Sequence, residues 1–128
     1  MDAGQLALLA SFNARLHPAW SRRLEVVVPI DGDLRAADEV IRTDACSCAV
    51  EAITRLADIQ RQTRSGRAKQ RDLKADRLIL VVKGSHANRR LLRAAGRIVD
   101  DAFPKSTREA LRALGAGEDP GGDCLVVI

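Results

Sequence analysis

Residues 35–56 read Arg35-Ala-Ala-Asp38-Glu39-Val-Ile41-Arg-Thr43-Asp-Ala-Cys46-Ser-Cys48-Ala-Val50-Glu51-Ala-Ile53-Thr-Arg-Leu56. Two short β-branched segments, 35–43 and 48–53, flank a turn near Thr43–Ala45, and the brevity of each favours a strand over a helix. Side chains alternate along a strand, so Ala49, Glu51 and Ile53 share one face while Cys48, Val50 and Ala52 share the other. A carboxylate in the middle of such an apolar strand is costly unless it is paired or binds a cation, which makes Glu51 the most informative residue in the chain. The alternatives are a solvated strand face or a pairing of Glu51 with Arg55 or Arg35. Asp38 on the preceding segment is the natural second carboxylate, and Glu39 is its register-slip alternative on the opposite face. Two carboxylates from adjacent strands suit a hard divalent cation such as magnesium, so Asp38 and Glu51 are the candidate metal ligands.

Upstream, Leu8, Leu9, Phe12 and Leu16 form one stripe of a helix over residues 4–16, which His17-Pro18 ends. Leu24 to Ile30 reads as a strand and Asp31-Gly32-Asp33 as a turn. The close spacing of three strands favours an antiparallel meander. Downstream, a helix is expected from Thr54, with Leu56 and Ile59 inward, running or restarting past Gly66 to about Asp72. Leu78 to Val82 is a continuous apolar run, the mark of a strand covered on both faces. A single helix is expected from about His86 to Ala102, with Leu91, Leu92, Ala95, Ile98, Val99 and Ala102 on its inner stripe. Ser85 is its N-cap. Ser106 to Glu109 is a capping box for another helix, and Cys124 to Ile128 is a last strand. The fold class is therefore α/β: a mixed sheet with an N-terminal antiparallel meander, an αβββαβ core, and C-terminal helices and strand.

The chain of 128 residues is the size of a single domain spanning 1–128, and 46% apolar content is enough for a core. No apolar run approaches the ~20 residues needed to cross a bilayer, and no basic-then-apolar start marks a secretory signal. Cys46, Cys48 and Cys124 neither pair up nor complete a zinc set with the isolated His17 and His86, so they read as small core residues in a reducing, cytoplasmic compartment. The net charge of +4 is unevenly spread. Residues 31–51 hold six acids against two arginines, and 55–77 hold eight basic residues against three acids. Arg61, Arg64, Arg67 and Arg71 are the candidate phosphate contacts of a nucleic-acid surface, with Asn88, Arg89, Arg90, Arg93 and Arg97 on the outer side of the next helix; a merely solvated face is the alternative. There is no phosphate-binding glycine loop and no third partner for Ser85-His86.

The element order, with Asp38 on the second strand and Glu51 in Val50-Glu51-Ala52-Ile53 on the third, resembles the core of the PD-(D/E)XK, restriction-endonuclease-like superfamily. The segments Leu34 to Asp38, Val50 to Leu56 and Arg108 to Leu114 are also similar to the C-terminal domain of actinobacterial helix-turn-helix transcriptional regulators, although no helix-turn-helix is visible here. The resemblance implies a metal-dependent nuclease centre with Asp38, Glu51 and a lysine. Ile53 stands where that lysine belongs. The following helix is the alternative source, since Arg55, Gln62 and Lys69 recur every seven residues, and Lys69 completes the candidate catalytic set. The departure implies a nuclease-like domain contacting DNA or a regulatory partner with degenerate catalysis. A non-catalytic interaction domain, dimerising through the final apolar strand, and an active magnesium-dependent nuclease are the alternatives.

Overall fold

The computed structural model describes residues 1–128. Its order is α1 (Ala3–Asn13), β1 (Ser21–Val27), β2 (Ala36–Arg42), β3 (Ser47–Ile53), α2 (Ile59–Asp72), β4 (Arg77–Val82), α3 (His86–Ala95), α4 (Arg97–Ala102), α5 (Thr107–Gly115) and β5 (Cys124–Val127). The five strands form one mixed sheet in the order β1-β2-β3-β4-β5. β1, β2 and β3 are an antiparallel meander, and β3, β4 and β5 are parallel. Parallel neighbours need long crossovers; α2 supplies the first and α3 to α5 the second. Residues 36–42 are extended, as the flanking turns require. No helix is long and apolar enough to cross a membrane.

Alternation along the strands sorts the core into two layers. Ile41, Cys48, Val50, Ile79, Val81 and Val126 pack against Leu9 and Phe12 of α1 and Leu114 of α5. On the other face Ile53, Leu78, Leu80 and Val82 pack against Leu56, Val99 and Phe103. Trp20 is buried in the first layer, where its indole N–H donates to the Leu114 carbonyl at 2.9 Å. β3 and β4 are buried along almost their whole length, which explains their near-continuous apolar sequence. The three thiols are free and buried, with 3.9 Å between the sulfurs of Cys46 and Cys48. Burial pushes the Cys48 thiol up and Cys124 to about 12, so they remain protonated and unreactive.

Three helices differ from the sequence reading: α1 ends at Asn13 and not at Leu16, and two more depart downstream. α2 does not begin at Thr54. Asp58 caps it by accepting the Arg61 N–H, and residues 54–57 are loop. Leu56 is buried all the same, with its N–H given to the Asn88 side chain at 3.0 Å. Asn88 is therefore no part of an outer basic face: it is buried and donates to the Thr54 and Lys83 carbonyls. The single helix 86–102 is two helices, broken at Gly96, whose φ of 49° is left-handed. Leu91 of α3 and Ile98 of α4 are 45% and 51% exposed, whereas Val99 stays inside. α2, in contrast, passes straight through Gly66. A Cβ there would lie 3.1 Å from a Leu78 methyl, so the glycine is the point of closest approach between helix and sheet.

The outer edge of the final strand is partly occupied by the chain's own groups. Leu125 N–H donates to the Lys105 carbonyl at 3.3 Å. The Thr107 hydroxyl donates to the Leu125 carbonyl at 3.1 Å and accepts the Val127 N–H at 2.9 Å. These contacts leave little of the outer β5 edge open to strand addition. The opposite edge, β1, carries Arg22, Arg23 and a left-handed Glu25 with φ of 50°, features that discourage strand addition.

Glu39 lies on the α1 side of β2 and is fully buried. One of its oxygens accepts from the Asn13 side-chain amide at 2.9 Å; its Oε1 and the Asn13 Oδ1 have no partner. Burial raises the Glu39 carboxyl above its usual range, with the Asn13 hydrogen bond opposing the shift. A carboxyl whose folded pKa is raised stabilises the fold at low pH and loses that contribution as pH climbs through the folded value. Glu39→Gln supplies a permanent donor in the same shape and removes the charge. It should be more stable than the parent by about 1–2 kcal/mol at pH 8, with the difference shrinking towards pH 5. Urea unfolding followed by circular dichroism at both pH values checks this; a difference independent of pH would mean that Glu39 is charged throughout.

Candidate functional site

Pairing between β2 and β3 runs from Arg42–Ser47 up to Glu39–Val50 and stops there. The next pair in that register is Asp38 and Glu51, and their side chains take over where the ladder ends. The Asp38 N–H donates to Glu51 Oε2 at 3.0 Å, and the Ala52 N–H donates to Asp38 Oδ2 at 2.8 Å. The Ala52 carbonyl accepts from the Gln5 side chain of α1 at 3.2 Å. Two carboxylates thus satisfy main-chain amides that a continuing strand pair would have satisfied. The strands part here, and the opening between them is a cleft of about 180 Å³.

One wall of the cleft is α2. Gln62, Ser65 and Lys69 face it together with Gln5, Asp38 and Glu51. Lys69 Nζ donates to Glu51 Oε1 at 2.5 Å. Gln62 sits one heptad before Lys69 but works locally: its Oε1 accepts the N–H groups of Ala57 and Asp58, and its Nε2 reaches the Arg55 carbonyl, closing the turn into the helix. Arg55 belongs to that loop and does not line the cleft. Nor does Arg35 meet Glu51; it pairs with Asp33 at 2.7 Å and Asp72 at 2.5 Å, tying the β1–β2 connection to the end of α2.

Glu51 is only 8% exposed. Burial pushes its carboxyl above the usual range, the Lys69 ammonium pulls it back, and the Asp38 charge adds to the rise. Lys69 and Asp38 thus form one electrostatic unit with Glu51, each setting part of the charge that its buried carboxyl feels. The donor set is oxygen-rich and hard. Asp38 Oδ1 has no protein partner, Glu51 offers Oε1 in exchange for Lys69, and the Ala52 carbonyl and Gln5 line the same opening. No third acidic, histidine or cysteine side chain joins them. Such a set fits magnesium, which is commonly bound through one or two carboxylates while keeping several waters. It does not fit zinc.

The four candidate phosphate-binding arginines lie elsewhere on α2. At about 100° per residue, Arg64, Arg67 and Arg71 are roughly 140–160° round the helix from Lys69, and Arg61 roughly 80°. Arg67 donates to the Ala102 carbonyl at 2.8 Å and stands 5.9 Å over the Phe103 ring; Arg71 is held by Asp72. Arg61 and Arg64 form no ion pair, nor do Arg89, Arg90, Arg93 and Arg97 of the neighbouring helices. Gln5 was not legible as a site residue, since nothing in the spacing of residues 1–13 links it to the meander. Comparison with protein-family models, curated proteins and solved structures gives no match.

Removing the Asp38 charge tests the electrostatic unit. Asp38→Asn keeps an acceptor for the Ala52 N–H, so the fold is retained, while the Glu51 carboxyl loses a repulsive neighbour and titrates at lower pH. Because the raised Glu51 loses its stabilising contribution as pH rises, the variant should gain about 1 kcal/mol over the parent at pH 8 and less at pH 5. Carbon-detected NMR titration of the Glu51 side chain, with thermal unfolding at the two pH values, reads both effects.

Proposed function

We propose that this chain is a restriction-endonuclease-like domain that engages the phosphodiester backbone of nucleic acid, with Asp38, Glu51 and Lys69 as its magnesium-dependent cleavage centre. The observation that carries this reading is the convergence of those three side chains in one cleft, with the lysine delivered from α2 to stand in for Ile53. The resemblance to regulator C-terminal domains fits the same reading and implies DNA as the partner in a cytoplasmic setting.

Asp38 Oδ1 and Glu51 Oε1 would hold the cation. Magnesium, when bound, supplies a Lewis acid for phosphoryl oxygens and lowers the pKa of water at the site. The residues then divide the remaining work. Glu51, fixed on one oxygen by the Asp38 N–H, would serve as a rigid carboxylate ligand facing the cleft. Lys69 lines the same cleft from α2, so its ammonium would stand where negative charge grows on a phosphoryl group. Gln5 holds the Ala52 carbonyl and so sets the width of the opening.

Charge distribution supports a polyanionic partner. α2, α3 and α4 together carry nine arginine and lysine residues against three aspartates, an excess of six that is larger than the net +4 of the whole chain. The other helical layer contributes almost nothing. A phosphate backbone would therefore meet the α2–α4 layer, with Arg61 and Lys69 on the side nearest the cleft. One observation favours a binding-only role: the Glu51 oxygens and Asp38 Oδ2 are already engaged by protein donors, so a cation must displace Lys69 to enter.

Supercoiled plasmid with magnesium separates the two. In the cleavage reading the parent nicks DNA, and Asp38→Asn, Glu51→Gln and Lys69→Met each lose at least about 100-fold in rate while keeping the parental circular dichroism spectrum. In the binding-only reading no magnesium-dependent nicking occurs, yet DNA affinity falls steeply between low and moderate salt. Salt-insensitive or absent binding together with absent nicking would overturn both.

A further inference from the structure

On the far side of α2 from the carboxylates lies a second groove, of about 250 Å³, walled by α2 and α4. Its floor is apolar, with Ile59, Val99 and Phe103 contributing to the second core layer. Arg64 and Arg67 line it, and no carboxylate does. Arg64 has no ion-pair partner, and Arg67 is fixed by the Ala102 carbonyl and the Phe103 ring, with its nearest acid, Asp123, at 3.8 Å. An apolar floor below two guanidinium groups is a poor resting place for water and a poor match for a cation. It suits a molecule with a flat or branched apolar body and one anionic end.

We infer that this groove binds a small amphiphilic carboxylate, its apolar body on Val99 and Phe103 and its carboxylate between Arg64 and Arg67. The volume holds roughly a dozen non-hydrogen atoms, below the usual range for larger ligands, which points to a bicyclic aromatic or short branched acid rather than a nucleotide. Charge complementarity is local, because the nearest acids of α4, Asp100 and Asp101, do not line the groove. The split between α3 and α4 at Gly96 is what tilts Val99 and Phe103 into this position and leaves Ile98 half-exposed at the entrance. The site goes beyond the cleavage reading and stands or falls separately from it.

The probe is 2-naphthoate, titrated into the full-length 15N-labelled chain, with 2-naphthylmethanol as its uncharged counterpart. The expected result is saturable shifts at the amides of Thr63, Arg64, Val99 and Phe103, with a dissociation constant of about 1 mM or tighter. Arg64→Ala and the neutral alcohol should each bind at least about fivefold more weakly, and Asp38→Asn should bind as the parent does. Absence of saturation by about 5 mM, equal affinity for the neutral alcohol, or shifts centred on Asp38 and Glu51 would overturn the assignment. Shifts at the groove amides that depend on protein concentration alone would also overturn it, since a second copy would then be the occupant.

Discussion

The end of the β2–β3 ladder is held by carboxylates instead of by strand pairing, and the candidate site follows from that substitution. Asp38 and Glu51 each accept a hydrogen bond from the neighbouring strand's main chain, so neither can leave without exposing a buried amide. Lys69 balances the charge that this arrangement places inside the sheet. The candidate site and the closure of the meander are therefore the same contact. Stability favours keeping the acids where they are, while a metal-dependent activity requires that one of their partners be exchangeable. Under the proposed metal-dependent reading Lys69 would be that partner, since it comes from a helix, whereas the amides belong to the sheet.

The two helical layers are unequal in kind. α1 and α5 cover the sheet with aliphatic side chains and a buried Glu39–Asn13 contact, and they carry little charge. α2, α3 and α4 combine the second apolar layer with the molecule's whole positive excess. α2 belongs to three environments at once. It presses Gly66 onto the sheet, sends Lys69 into the cleft, and turns Arg64 and Arg67 towards α4. Its polar sequence, which looks unsuited to a packed helix, makes sense only when those three faces are separated.

Much of the architecture could be read from local pattern. The short segment 35–43, bounded by turns, is a strand as its length implies, and the heptad interval from Gln62 to Lys69 brings both to one wall. What escaped the reading depended on long-range geometry. Gly96 lies inside the expected helix 86–102, and its left-handed conformation leaves no trace in hydrophobic periodicity. Asn88 sits among arginines in the sequence, yet it closes the loop at 54–57 from the inside. Glu39 was correctly placed on the opposite face from Asp38, but its burial depends on α1, which the meander's sequence does not mention. Gln5 has the same cause: a helix from the start of the chain meets the third strand's main chain.

Trp20 is the only tryptophan, and the chain has no tyrosine. Its indole is sealed between the first helical layer and the sheet and bound to the Leu114 carbonyl. Ultraviolet emission from this protein therefore reports one side of the sheet alone. Opening of α1 or α5 will change its colour, whereas events around α2 and α4 will pass unseen by it and must be followed by an added dye or by resonance methods.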